Sequence, residues 1–534
     1  MNIEGNFIDV RKGEIYPAKI TFTKTITKIE RNNKTYTNYI APGFVEAHIR
    51  FEESYVSPSQ YVKFALESGV TTVVEDFSLT LQSEGATGVK YYTTEFNKLP
   101  INYYYLYPIN IFKNKLESSA DEVSHDDFMQ FLKNKHCLGL TQVDDVMHIQ
   151  NDNPLVMKKI LAAQSLSKPI ISNIPKIHFT NLSKFATLGI RADIGSNIYQ
   201  EAFEKACFGL KIKIVEGTKR KTLASLVRLA KQFETSIVSD EKSYQELSKG
   251  YMKATLKKAV SLGLDPVTAI QNVTCNPAQL LGINEGVLEE GAVANIVELE
   301  NLRDFSVLRV FHKGECVVKN SELSVQIPES KVPKSKFSLE TISEDDIHIS
   351  SSKESEEVLV LNLESNQLES MTFVSEDSVL QKPEGVLKVV VASVYGTNQI
   401  GIGYVKGITL EKGAVATNMY GSSSNIIAVG NDDDDLAEAI NRINELGGGF
   451  VAVDKKREVS LHMPILGLTT NQDPVSLHEQ VKKVNAFLRR LGYTYDNTIE
   501  TIADLKDLKK KGFRFTDNGV IDVANNTIVN IFKD

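Results

Sequence analysis

"APGFVEAHIRFEESY", residues 41–55, begins as a buried strand and turns abruptly polar. Phe44, Val45 and Ala47 supply the apolar body, and His48, Arg50 and Glu52 follow at its exit. Residues two apart on a strand share a side, so Arg50 is expected to point the same way as His48. A buried strand that delivers titratable groups to a loop is the unit from which a parallel barrel builds its C-terminal mouth.

The units that follow repeat this plan. Short apolar strands are predicted at "TTVVED" (71–76), "INYYYLYP" (101–108), "CLGLTQV" (137–143), "KPIISNI" (168–174), "LGIRAD" (188–193), "LKIKIVEG" (210–217) and "TSIVSD" (235–240). Helices are predicted between them, over 58–68, 125–134, 154–166, 199–206 and 221–233. Repeated strand–helix units predict a parallel sheet with crossovers, and this many, counting the strand before His48, predict a (β/α) barrel over 41–284. Residues 1–40 alternate apolar and polar residues as short strands do. "GAVANIVELE" and "VLRVFHKGECVVKN" return to that pattern after the barrel, so 1–40 and 285–325 are expected to form one small split β domain. Residues 326–358, rich in Ser, Lys, Pro and Glu, read as a linker. Residues 359–534 form a third unit. It contains the buried strand "VLKVVVASVYG", a helix that starts on "DDDD" (432–435) and stops at glycine, and an amphipathic helix with Leu477, Val481, Val484, Leu488 and Leu491 on one side.

A chain of 534 residues is too long for one core and calls for two or three domains. The net charge of −8 and the absence of a basic stripe argue against a nucleic-acid partner. No uninterrupted apolar run is long enough to span a membrane, and "MNIEGNFIDVRKGEIYPAKI" has no secretory-leader pattern. Cys137, Cys207, Cys275 and Cys316 are scattered and form no CxxC pair. Reduced thiols and a cytoplasmic location are expected.

Several stretches are similar to one family. "APGFVEAH", "SGVTTVVED", "GLDPVTAIQNVTCNPAQLLGI" and "GAVANIVELENLRDFSVLRVFHKGE" resemble landmarks of the amidohydrolase superfamily and, within it, of the adenine deaminases. "SNIIAVGNDDDDLAEAINRINELGGGFVAVD" and "MPILGLTTNQDP" resemble the C-terminal domain that sets adenine deaminases apart from other amidohydrolases. The resemblance spans nearly the whole chain. It implies an amidohydrolase-like (β/α)8 TIM barrel with a split small β domain and a C-terminal α/β adenine-deaminase-type domain. It also implies hydrolytic removal of the 6-amino group of adenine by metal-activated water at the barrel mouth, and a homo-oligomer.

The positions that would carry that chemistry differ here. The family's His-x-His becomes His48-Ile49-Arg50. Its Gly-Glu-Val glutamate corresponds to Gln142, and its Asp-Gly-His histidine to Ile174. Its Ser-Asp-His-Glu motif is "ADIG", which keeps Asp193 and puts Ile194 at the histidine. Its Thr-Asp-Asp motif is "SDE", which keeps Asp240. A Pro-His-Glu triplet is replaced by Phe77-Ser78-Leu79, and a His-Asp-Ser-His run in the C-terminal domain by Gly421 to Ser424. A ligand must offer a lone pair; isoleucine has none and a guanidinium stays protonated.

Arg50 is therefore expected to pair with Asp240, a carboxylate that would otherwise lack a counter-ion. Gln142 reads as a hydrogen-bonding filler, Asp193 as a helix cap or a partner of Arg50, and Glu52 as a ligand contact or a surface-loop acid. His125 sits at a helix start, and His136, His148, His178, His312, His348, His462 and His478 form no ligand pattern. One expectation is a degenerate adenine-deaminase homologue with no cofactor, binding a purine-like molecule or a partner. The alternative is an active deaminase or other amidohydrolase with Mn, Fe or Zn on His48 and Asp240, the latter serving in catalysis.

Overall fold

The computed structural model describes residues 1–109, 115–120, 123–143, 153–174, 179–455, 457–494 and 498–533. It contains two compact units: Met1–Ser78 with Val89–Ile111 and Val123–Ser330, and Leu79–Gly88 with Phe112–Glu122 and Lys331–Asp534. His148 and His178 lie outside the described residues.

In the first unit, β1 (Asn2–Asp9), β2 (Glu14–Phe22) and β3 (Ile26–Arg31) form an antiparallel meander. β4 (Tyr39–Pro42) pairs with β1 on one side and on the other with β13 (Ile296–Leu299), which comes from beyond the barrel. β14 (Val307–His312), β15 (Glu315–Lys319) and β16 (Glu322–Leu323) extend the sheet to eight strands. Its core joins Ile3, Phe7, Ile20 and Phe22 to Ile296 and Phe311.

The barrel strands are β5 (Phe44–Ile49), β6 (Val70–Asp76), β7 (Asn102–Pro108), β8 (Cys137–Val143), β9 (Ile170–Ser172), β10 (Ile190–Asp193), β11 (Lys211–Val215) and β12 (Thr235–Val238). They are hydrogen-bonded in sequence order and all neighbours are parallel. A parallel bridge between Ile49 and Asp240 brings the first strand to the last. There the Arg50 N–H donates to the Asp240 carbonyl at 2.8 Å and the Asp240 N–H to the His48 carbonyl at 2.9 Å. Val45, Val74, Leu106, Ile171, Ala192, Val215 and Val238, from seven of the strands, form one buried cluster that Leu281 joins. Partly buried Leu138 adds the eighth strand. The uniform apolar content of these strands is what burial on both faces demands.

The expected strand over 168–174 is confined to Ile170–Ser172, and the helix expected over 221–233 is only Leu223–Leu226 and a 3₁₀ turn, Leu229–Lys231. Thr222 explains part of this: its hydroxyl accepts the Val215 N–H at 2.9 Å, tying the segment to the end of β11.

The second unit is built on a nine-stranded sheet whose middle includes the antiparallel pair Val386–Ala392 and Ile426–Gly430. Helix Asp433–Leu446 lays Leu436, Ile440 and Ile443 on that sheet. Its acidic first turn is anchored by Lys388, which reaches Asp433 at 2.7 Å. The stretch 326–358 is not a free linker. Ile342 and Ile347 are buried in the core of the second unit, and Ser355 opens strand Ser355–Asn362. Its polar composition reflects an extended segment that buries few residues per length. Among the described residues, no helix is long and apolar enough to cross a membrane.

Candidate active site

The strand ends of the barrel bring His48, Asp76, Gln142 and Asp240 together. The register of β5 against β6 is irregular between Glu46 and Ile49, at His48. His48 is fully buried. Its Nε2 lies 3.2 Å from Asp76 Oδ2 and 3.6 Å from Asp240 Oδ1, without hydrogen-bond alignment to either. Burial pulls the imidazole below its ordinary pKa against the opposing pull of Asp76. Gln142 and Asp240 both adopt left-handed backbone, with φ of 56° and 64°. Such positions cost about 1–3 kcal/mol each and cluster where a fold fixes a side chain in place.

The expected ion pair is present: Arg50 Nη1 donates to Asp240 Oδ1 at 2.7 Å. Arg50 Nε also donates to Glu53 Oε1 at 2.7 Å, and Lys219 reaches the other oxygen of Glu53 at 2.9 Å. Although burial opposes its charge, Arg50 is held above its ordinary pKa by Asp240 and Glu53. Burial likewise raises Glu53, but Arg50 and Lys219 draw it down to about 2. Asp76 also reaches about 2, with burial outweighed by His48, Arg50 and the Gln142 amide. Gln142 donates to Asp76 Oδ2 at 2.5 Å and accepts from Asn173 at 3.2 Å, as a polar filler should.

Other expected residues sit differently. Asp193 does not meet Arg50. Its carboxylate accepts from Lys205 at 2.9 Å, from the Ser196 N–H at 3.0 Å and from Ser172 at 2.8 Å. Glu52 is not a surface acid: it is buried in the 3₁₀ turn Phe51–Ser54, where it adjoins Glu75 and helps to raise that residue's pKa, mainly a result of burial. Ile174 and Ile194 are buried apolar side chains. Gly195 fits between them and the neighbouring loop because a Cβ there would meet the Ile174 nitrogen at 2.4 Å.

Three residues not singled out in the sequence complete the site. Asp76 closes an apolar strand with an acid. Arg220 donates to the Ile194 carbonyl and to Asn197 at 3.2 Å, and its Nη1 lies 3.9 Å from Asp240. Lys213, visible as a charge within the apolar "KIKIV", is buried and donates to the Ala47 carbonyl at 3.0 Å. Burial pulls Lys213 down to about 7. In the unfolded chain it titrates near about 10.4, so between these values the unfolded state binds the extra proton and stability rises with pH. Relative to Lys213→Met, the protein should gain about 1 kcal/mol per pH unit between pH 7 and 9, and the difference should flatten below pH 7. Urea unfolding of both proteins across that range measures it; parallel pH curves would contradict it.

The metal ions implied by the family pattern do not fit these residues. The oxygens that face His48 are Asp76 Oδ2 and Asp240 Oδ1, and these same atoms accept from Gln142 and Arg50. The neighbouring strand ends offer Ile174 and Ile194, which cannot ligate. Among the described residues, no group of three or more His, Cys, Asp or Glu is arranged to hold a metal ion.

A set of eight parallel strands in sequence order, its first and last joined by a bridge and its polar groups at the strand ends, is a (β/α)8 barrel. Residues 210–317 match the amidohydrolase family, and residues 364–527 match the adenine deaminase C-terminal domain. The adenine deaminase of Methanosphaera stadtmanae is 29% identical, covering 100% of both chains. That of Methanothermobacter thermautotrophicus is 27% identical over 99% of this chain and 100% of its own. Among solved structures, the β-aspartyl dipeptidase of Fervidobacterium islandicum AW-1 aligns with a TM-score of 0.47 at 13% identity, covering 61% of this chain and 98% of that one. Over its full length this chain is similar to adenine deaminases, and it carries both matched domains.

Proposed function

We propose that this chain is a family member that has lost metal-activated hydrolysis of adenine and keeps its barrel for binding a purine-like molecule or a partner, as a cytoplasmic homo-oligomer. The observation that carries the reading is the 2.7 Å contact of Arg50 with the Asp240 oxygen that faces His48. A permanent cation there repels a second cation and takes the lone pair a metal would need. Gln142, Ile174 and Ile194 support the same reading, because each stands where the family pattern has a ligand. A second reading, an active deaminase with a rebuilt site, draws on the convergence of His48, Asp76 and Asp240. It requires Arg50 and Gln142 to give up those oxygens.

Two measurements decide between them. Protein purified without chelator is expected to hold no stoichiometric Mn, Fe or Zn by elemental mass spectrometry and to release no ammonia from adenine. Stoichiometric metal, with ammonia release abolished by Asp240→Asn, would establish the second reading. Titration calorimetry with adenine then tests whether binding survives the loss of turnover.

A further inference from the structure

Asp240 is a meeting point for the loops at the barrel mouth. Arg50 extends from it to Glu53, and Glu53 to Lys219, so the loops after β12, β5 and β11 are joined through one chain of charges. Arg220, beside Lys219, lies near the other Asp240 oxygen and donates to the Ile194 carbonyl and Asn197, which adds the loop after β10. The join between Asp240 and Glu53 depends on the cation that lies between them. Asp240 is 5% exposed, so its charge is not satisfied by water.

We infer that Arg50 is the resident cation of the barrel mouth, balancing Asp240 and holding four adjacent loops in order without a metal ion. The inference rests on the proposed loss of the metal centre and adds what replaces it. A guanidinium suits the task for three reasons. It carries its charge at every physiological pH, its planar fork reaches two carboxylates at once, and it cannot be removed by a chelator. The mouth would therefore keep one geometry whatever the metal supply, as a surface used for binding requires.

The test uses the full chain and compares melting temperatures of wild type, Arg50→Gln, Asp240→Asn and the double variant, each with EDTA and with Mn²⁺. Wild type is expected to melt at the same temperature in both. Arg50→Gln should melt about 5–10 °C lower, because it leaves Asp240 and Glu53 without their shared partner. Adding Asp240→Asn should recover most of that loss, since the stranded charge is gone. Mn²⁺ should raise the melting temperature of Arg50→Gln and of no other form. If Arg50→Gln does not fold, Arg50→Lys, which keeps charge without the fork, takes its place in the same cycle.

Additive losses in the double variant, or an Arg50→Gln protein that melts with wild type, would overturn the inference. Protection of wild type by Mn²⁺ would overturn it too. The proposed function fails separately, on metal content and ammonia release of the wild type. Wild type without metal or turnover but with no coupling between Arg50 and Asp240 sinks this inference alone.

Discussion

Lys205→Met is expected to destabilise the barrel unit by about 3–5 kcal/mol. The ammonium is 2% exposed and its three protons are all used. They go to the Ile174 carbonyl at 2.6 Å, to Asp193 Oδ2 at 2.9 Å and to Glu201 Oε1 at 2.9 Å. Asp193 is itself wholly buried, so removing the cation strands one carboxylate in the interior and weakens the hold on a second. Methionine keeps the length and apolar stem of lysine, so the loss reads the charge rather than the packing. Asp193→Asn added to Lys205→Met should restore part of the stability by removing the stranded charge. Urea unfolding of the three proteins gives the numbers. A loss below about 1 kcal/mol for Lys205→Met would mean that the pair is worth no more than a surface salt bridge.

The same ion pair shows where reading the sequence stops. The barrel was legible because apolar runs alternate with helical stretches at nearly constant spacing. The Arg50–Asp240 pair was legible because two residues on one strand share a side and a carboxylate at the mouth needs a partner. Asp193 kept the identity that the family pattern gives it, which suggested a place beside Arg50. Its actual partner lies twelve positions later on helix Tyr199–Cys207, and only the return of that helix over its own strand brings Lys205 back. The surface-loop alternative for Glu52 fails for a similar reason. Its neighbours in sequence are polar, but Phe51 packs edge-on to the rings of Tyr92 and Phe96 and draws the whole turn inward. In 326–358 the Ser and Lys content hid Ile342 and Ile347, two apolar residues sufficient to dock an extended segment on a core. Composition averages over a window, whereas burial is decided residue by residue.

The second large effect is expected in the other unit, at Lys506. This lysine is fully buried, and its ammonium donates to the carbonyls of Asn418 at 2.9 Å, Ser423 at 2.8 Å and Asn425 at 2.6 Å. The loop it gathers is the one in which Gly421 to Ser424 replace the His-Asp-Ser-His run of the family pattern. Small residues are what such a wrap needs. Gly421 has φ of 85°, and a Cβ there would press on Lys506 Cε at 3.0 Å. Ser423 turns its hydroxyl to Glu117 at 2.6 Å, and burial pushes that carboxyl up to about 7 while pulling Lys506 down to about 7. Lys506→Met would leave three buried carbonyls without a donor, at about 1 kcal/mol or more for each. A loss of about 3 kcal/mol or more is expected, with hydrogen exchange accelerating first in the strands that flank the loop, Ala414–Thr417 and Ile426–Gly430. Exchange that stays protected there, in a variant of unchanged stability, would show that the loop holds its shape without the ammonium. The change from His-Asp-Ser-His to Gly421-Ser422-Ser423-Ser424 would then have no structural consequence in this unit.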